Sequence, residues 1–174
     1  LTASSSATLS FVDGSSGVTL DNSYKEYLFT FNNLHPSADD VIFSFQGSTD
    51  SGSNYNIAAT TTFIRAYQRE DGHSPDLVYE TGHDEAQTTG FIDISGSNGS
   101  DNDQSGSGYL HLFNPSSDTF VKLFMSRKAG SSSGDYTLDA HMAGYFNTAS
   151  AIDAIQFKMA SGSFNGDICL YGIN

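Results

Sequence analysis

Near its end the chain reads Ala151-Ile-Asp-Ala-Ile-Gln-Phe-Lys-Met159, then a loop with Gly162 and Gly166, then Asp167-Ile-Cys-Leu-Tyr-Gly-Ile-Asn174. In the first segment Ile155, Phe157 and Met159 share one face and Ala154, Gln156 and Lys158 the other, which is the period-2 alternation of a half-buried strand. In the second, Ile168 and Leu170 alternate with Cys169, Tyr171 and Ile173, so both faces are apolar and the strand is expected inside a layer. Such a strand must be inserted between others. The rest of the chain is therefore read for its neighbours.

Working outward, the same rhythm recurs. Leu9 and Phe11 align, as do Tyr27, Phe29 and Phe31 in a run that stops at Leu34-His-Pro36, and Val41, Phe43 and Phe45 in the next. Residues 55–69 are rich in β-branched and aromatic side chains, and Leu77-Val-Tyr79 and Gln87 to Ile94 follow as short strands. Tyr109 to Phe113, Phe120 to Lys128 and Tyr136 to Phe146 complete the set. No 3.6-residue period lasts beyond a turn or two. Ten to eleven short strands between polar turns predict an all-β chain, a single-domain β-sandwich of jelly-roll type. Residues 1–6 are expected as a flexible lead-in and 7–174 as the domain. The fourteen residues Ser95 to Gly108, almost all Ser, Gly, Asn and Asp, are expected as a loop.

Size and charge narrow the function. A chain of 174 residues is most economically one domain, burying roughly 70% of its unfolded surface. Cys169 is the only cysteine, so no disulfide forms within the chain, and in a central strand it is expected as a small buried hydrophobe. Lys plus Arg number 7 against 20 Asp plus Glu, a formal net charge of -13 that repels nucleic acid and anionic membranes. With 37% hydrophobic residues, 13 Phe and 9 Tyr, the chain is too apolar for disorder. There is no run of about 18 apolar residues and no charged-then-apolar leader at Leu1, so a soluble domain is expected.

Each pattern that invites chemistry has a plainer counterpart. Gly130-Ser-Ser-Ser-Gly134 has the letters of a nucleophile elbow around Ser132, but that elbow needs a following helix, and a strand follows here. His35, His73, His83, His111 and His141 lack metal-site spacing, and His111 and His141 lie on strand faces opposite apolar rows. Asp39-Asp40 and Asp84-Glu85 would serve glycoside hydrolysis only if two carboxylates faced each other across a groove. Tyr55, Tyr67, Tyr79 and Tyr109 are the available sugar-stacking rings in a chain without Trp. Asp101-Asn-Asp-Gln-Ser-Gly106 reproduces the first half of a calcium loop. Asp101, Asp103 and Ser105 are thus candidate ligands of a structural Ca²⁺, although Leu112 stands where the bidentate Glu belongs. The plainer reading is a solvated loop. No catalytic residue and no other cofactor is expected.

Ser23-Tyr-Lys-Glu-Tyr27, Leu34-His-Pro36, Phe45-Gln-Gly-Ser48, Ser107-Gly-Tyr-Leu-His-Leu-Phe-Asn-Pro-Ser-Ser117, Ala143-Gly-Tyr-Phe-Asn-Thr148, Phe157-Lys-Met-Ala-Ser-Gly162 and Leu170-Tyr-Gly-Ile173 span nearly the whole chain. Together these blocks resemble structural proteins of marine bacteriophages, notably cyanophages. The resemblance implies a non-enzymatic β-sandwich in the virion, on the capsid or tail surface. Its partners would be major capsid or tail proteins and further copies of itself, a trimer being one arrangement, with no nucleic acid and no membrane. A capsid decoration or cement protein is the first expectation. A tail or tail-fibre adhesin, a carbohydrate-binding module using the Ser95 to Gly108 loop and Tyr-bearing rims, is the alternative.

Overall fold

The structure is a computed structural model that describes residues 1–73 and 75–174. Among the described residues there are twelve strands and no helix: β1 (Thr2–Ser6), β2 (Thr8–Val12), β3 (Glu26–Pro36), β4 (Val41–Ser48), β5 (Ala59–Arg69), β6 (Asp76–Tyr79), β7 (Ile92–Asn98), β8 (Gly106–Phe113), β9 (Lys122–Ser132), β10 (Tyr136–Phe146), β11 (Ala154–Met159) and β12 (Phe164–Ile173). One sheet has the order β1-β12-β3-β8-β9-β10-β5-β6 and the other β2-β11-β4-β7. Every pairing is antiparallel.

The jelly roll is visible in that order. Strands β1 and β2, β3 and β4, β7 and β8, and β11 and β12 are neighbours in sequence but belong to different sheets, so β1-β12-β3-β8 faces β2-β11-β4-β7 position for position. Strands β9, β10, β5 and β6 extend the first sheet beyond that eight-strand unit, and β7 packs against β9 and β10.

Strand β11 sits between β2 and β4 as the expected interior strand, and its inward row fills the sandwich. Phe157 lies 6.1 Å from Phe11, 5.3 Å from Phe29, 5.4 Å from Phe31, 5.7 Å from Phe43 and 6.3 Å from Phe45, centroid to centroid. Those rings come from both sheets, and the edge-to-face and offset contacts suit aromatic quadrupoles. A second group, Phe45, Phe124 and Phe146, continues the core under β9 and β10.

Three expectations change. Residues 2–6 are not a lead-in but edge strand β1: Ala3 is buried, the Leu1 amino group donates to the Ile168 carbonyl at 2.8 Å, and Ser5 N–H donates to Asn165 Oδ1 at 2.8 Å. One small apolar residue among serines carries no alternation, so backbone pairing with β12 decides the matter. The polar run Ser95 to Gly108 contributes its two ends to β7 and β8 and leaves only residues 99–105 as connection. Cys169 is half-buried, because the outward side of β12 is open to solvent. Gly166, at φ 128°, forms the bulge in β12, where an added Cβ would meet the Asn33 carbonyl at 2.7 Å.

Truncating the ring at the centre of the core tests this architecture. Phe157→Ala is expected to cost about 3–5 kcal/mol, read as a lower urea midpoint at unchanged m-value, whereas an outward change such as Thr137→Ala stays within about 0.5 kcal/mol.

Candidate interaction surface

Strand alternation that sends one row inward sends the next outward, and on the eight-stranded sheet the outward side also carries large apolar residues. Register sets Tyr171 opposite Leu28, Leu28 opposite His111, His111 opposite Met125, and Met125 opposite Ala143, a line across five strands. A second line runs Tyr109, Arg127, His141, Ile64, Tyr79. Leu123 is 56% exposed, Met125 49%, Ile64 42% and Tyr171 51%, and Phe120 (68%) and Val121 (41%) stand beside them before β9. Two shallow hollows of about 400 Å³ share Met125 and Ala143. Isolated exposed hydrophobes are ordinary, but a continuous patch on a sheet face marks an interaction site.

Charge on this face is internally matched. Arg127 meets Asp139 through two parallel bonds, 2.9 Å from Nε and 2.8 Å from Nη2, and His141 lies 3.2 Å from the same carboxylate. Hydrogen bonding from Arg127 holds the Asp139 carboxyl below its ordinary range. Glu26 is bonded by His111. In a chain of net charge -13 these two rows carry no carboxylate; Glu26, Asp139 and Asp167 stand beside them on the same sheet, the first two paired with His111 and Arg127 and the third accepting from Thr2 Oγ1.

The residues singled out for chemistry are dispersed. Ser132 is buried at the end of β9, and its carbonyl accepts from Gln104 Nε2 at 3.1 Å; a strand follows the turn. Asp101 and Asp103 are exposed on a turn closed by Gln104, whose N–H donates to the Asp101 carbonyl at 2.8 Å, while Ser105 N–H is tied to Ser131 Oγ at 3.2 Å. Among the described residues no three His, Cys, Asp or Glu side chains gather as a metal cluster. Asp84 accepts from Phe63 N–H at 2.7 Å and Asp39 from Ser100 N–H at 3.1 Å, so one acid of each pair is spent on backbone. His73 and His141 each lie beside a carboxylate two residues earlier in the chain, whereas His111 meets Glu26 across strands and His83 meets Asp93 of β7, contacts that residue spacing does not announce. Tyr67 and Tyr136 meet edge to face at 5.6 Å beside a polar hollow of about 290 Å³ that also contains Asp40, Arg65 and Ser97.

Three buried groups escape sequence reasoning altogether. Lys122 and Lys128 point inward from β9, and Asn98 points inward from β7. Two lysines on an inward row break the apolar pattern, and that break is the signal that was available. No family model, curated protein or solved structure matches the chain.

The half-buried pair of His83 and Asp93, 2.7 Å apart, gives a pH signature. The bond from Asp93 raises the His83 pKa above its ordinary 6.5. A raised folded pKa makes the contribution complete below 6.5 and lost as pH climbs through the folded value. The melting temperature of the wild type relative to His83→Gln is therefore expected to be higher at about pH 5.5 than at about pH 8.5.

Proposed function

We propose that this protein is a non-enzymatic structural protein of a bacteriophage particle, a capsid decoration that works as a self-associated unit on the particle surface. The observation that carries the reading is the outward apolar face of the eight-stranded sheet, with its matched Arg127–Asp139 and Glu26–His111 pairs. A strongly acidic chain repels its own copies over most of its surface. This apolar face, with its partnered charges, is where a second copy is accepted, so self-association is its occupant, and a closed ring of three uses it as well as a pair does. The resemblance to marine phage structural proteins supports the particle as the setting. Dispersed titratable residues also favour holding over turning over.

A specific observation favours the second reading, a tail adhesin that binds host glycan: the Tyr67–Tyr136 pair beside Asp40 and Arg65 offers a ring edge and hydrogen-bonding groups to one sugar unit. Copy number separates the two, since decoration requires many copies over the shell and an adhesin a few at the tail. Antibody labelling of intact virions is expected to mark the shell; tail-only labelling rejects decoration.

The surface itself is tested on purified protein. Leu123→Glu with Met125→Asp is expected to convert an oligomer into a monomer in sedimentation equilibrium, with the melting temperature nearly unchanged because both side chains point outward. A wild type that stays monomeric at high concentration removes the self-association.

A further inference from the structure

Strand β9 buries two lysines, and they are not in the same situation. Lys122 Nζ donates to the Phe120 carbonyl at 2.7 Å and the Thr148 carbonyl at 3.1 Å, an ordinary way to satisfy an inward ammonium near a strand end. Lys128 is 2% exposed and, among the described residues, makes a single hydrogen bond, 2.5 Å to Oδ1 of Asn98, which is itself 2% exposed. No carboxylate pairs with Lys128 among the described residues. An unpaired charge at that depth is prohibitively costly, and burial pulls the ammonium down to about 7. A neutral amine, with a free lone pair, is therefore accessible to Lys128 near physiological pH.

What it rests on is a fixed carboxamide. Asn98 Nδ2 donates to the Val41 carbonyl and Ser95 Oγ, both at 2.8 Å, and to the Gly96 carbonyl at 3.2 Å. These bonds leave the Oδ1 side to the lysine. Space for the amine is made by glycine: a Cβ on Gly106 would lie 2.0 Å from Nζ, and one on its partner Gly130 3.3 Å away. Two reacting groups are thus held in contact away from solvent, the condition under which positioning replaces a bimolecular encounter.

We propose that Lys128 and Asn98 join as an intramolecular isopeptide bond. Lys128 Nζ attacks Asn98 Cγ, the Nζ–Cγ bond forms, the Cγ–Nδ2 bond breaks, one Nζ proton passes to Nδ2, and ammonia leaves. No oxidant or co-reactant is needed. Ser95, whose Oγ accepts from Nδ2 at 2.8 Å, is a positioning residue that holds the leaving nitrogen. The bond ties β9 of the large sheet to β7 of the small one across 30 residues. In a chain with one cysteine it supplies the covalent clamp that a disulfide cannot.

Intact-mass spectrometry of the folded chain tests this. The wild type is expected to weigh less than its sequence by one ammonia, with Asn98 and Lys128 in one branched tryptic peptide. Asn98→Asp is expected to lose one water instead, and Lys128→Met to keep its full mass and melt at a lower temperature. If Lys128→Met fails to fold, wild type isolated in denaturant before it has ever folded serves: its mass starts at the full value and falls as folding completes. A folded wild type that holds its full mass through prolonged incubation at mildly alkaline pH overturns the proposal, as does a link that maps to other residues.

Discussion

The two sheets are held in register by one row of rings. Phe157 on β11 touches phenylalanines of β2 and β4 in its own sheet and of β3 in the other, so the same side chain closes the small sheet and fastens it to the large one. Ring contacts are directional as well as apolar, and a one-residue slip of any of these strands would turn its phenylalanines to the opposite face. Most of the topology follows from satisfying this cluster. Strands β9, β10, β5 and β6 are then free to extend one sheet only, with Phe124 and Phe146 linking them to Phe45.

That asymmetry creates the surface. The small sheet has its outer side partly covered by loops: Gln46 of β4 is fully buried, and its Nε2 donates to the carbonyls of Ile57 at 3.2 Å and Gly90 at 2.6 Å. The outer side of the large sheet has no such cover. Its two rows mix large apolar side chains with Arg127, His111 and His141, and Glu26 and Asp139 beside them are each partnered. Long-range repulsion and a local apolar surface thus coexist on one molecule.

The end of the sandwich where β7 meets β9 obeys a different logic. There the interior is polar, with Ser95, Asn98, Gln104, Lys128 and Ser132 all buried, and glycines at 106 and 130 make room. Phenylalanine packing secures one end of the barrel-like interior; the other depends on hydrogen bonds to backbone and on the lysine–carboxamide contact. Ser126, between the two lysines of β9, has a hydroxyl oxygen with no hydrogen-bond partner among the described residues, a further departure from an apolar row.

Strand identity was legible wherever side chains alternate, because burying one face of a pleated strand imposes a period of two whatever lies opposite. Leu9 with Phe11, Phe29 with Phe31, Phe43 with Phe45 and Phe157 with Met159 all announce their faces this way. Strand β1 and the serine-rich ends of β7 and β8 did not, since backbone pairing holds them and serine does not reveal which way it points. Neither did the outward patch or the lysine–asparagine contact, because both join residues from strands far apart in the chain, and only the winding of the jelly roll brings those strands side by side.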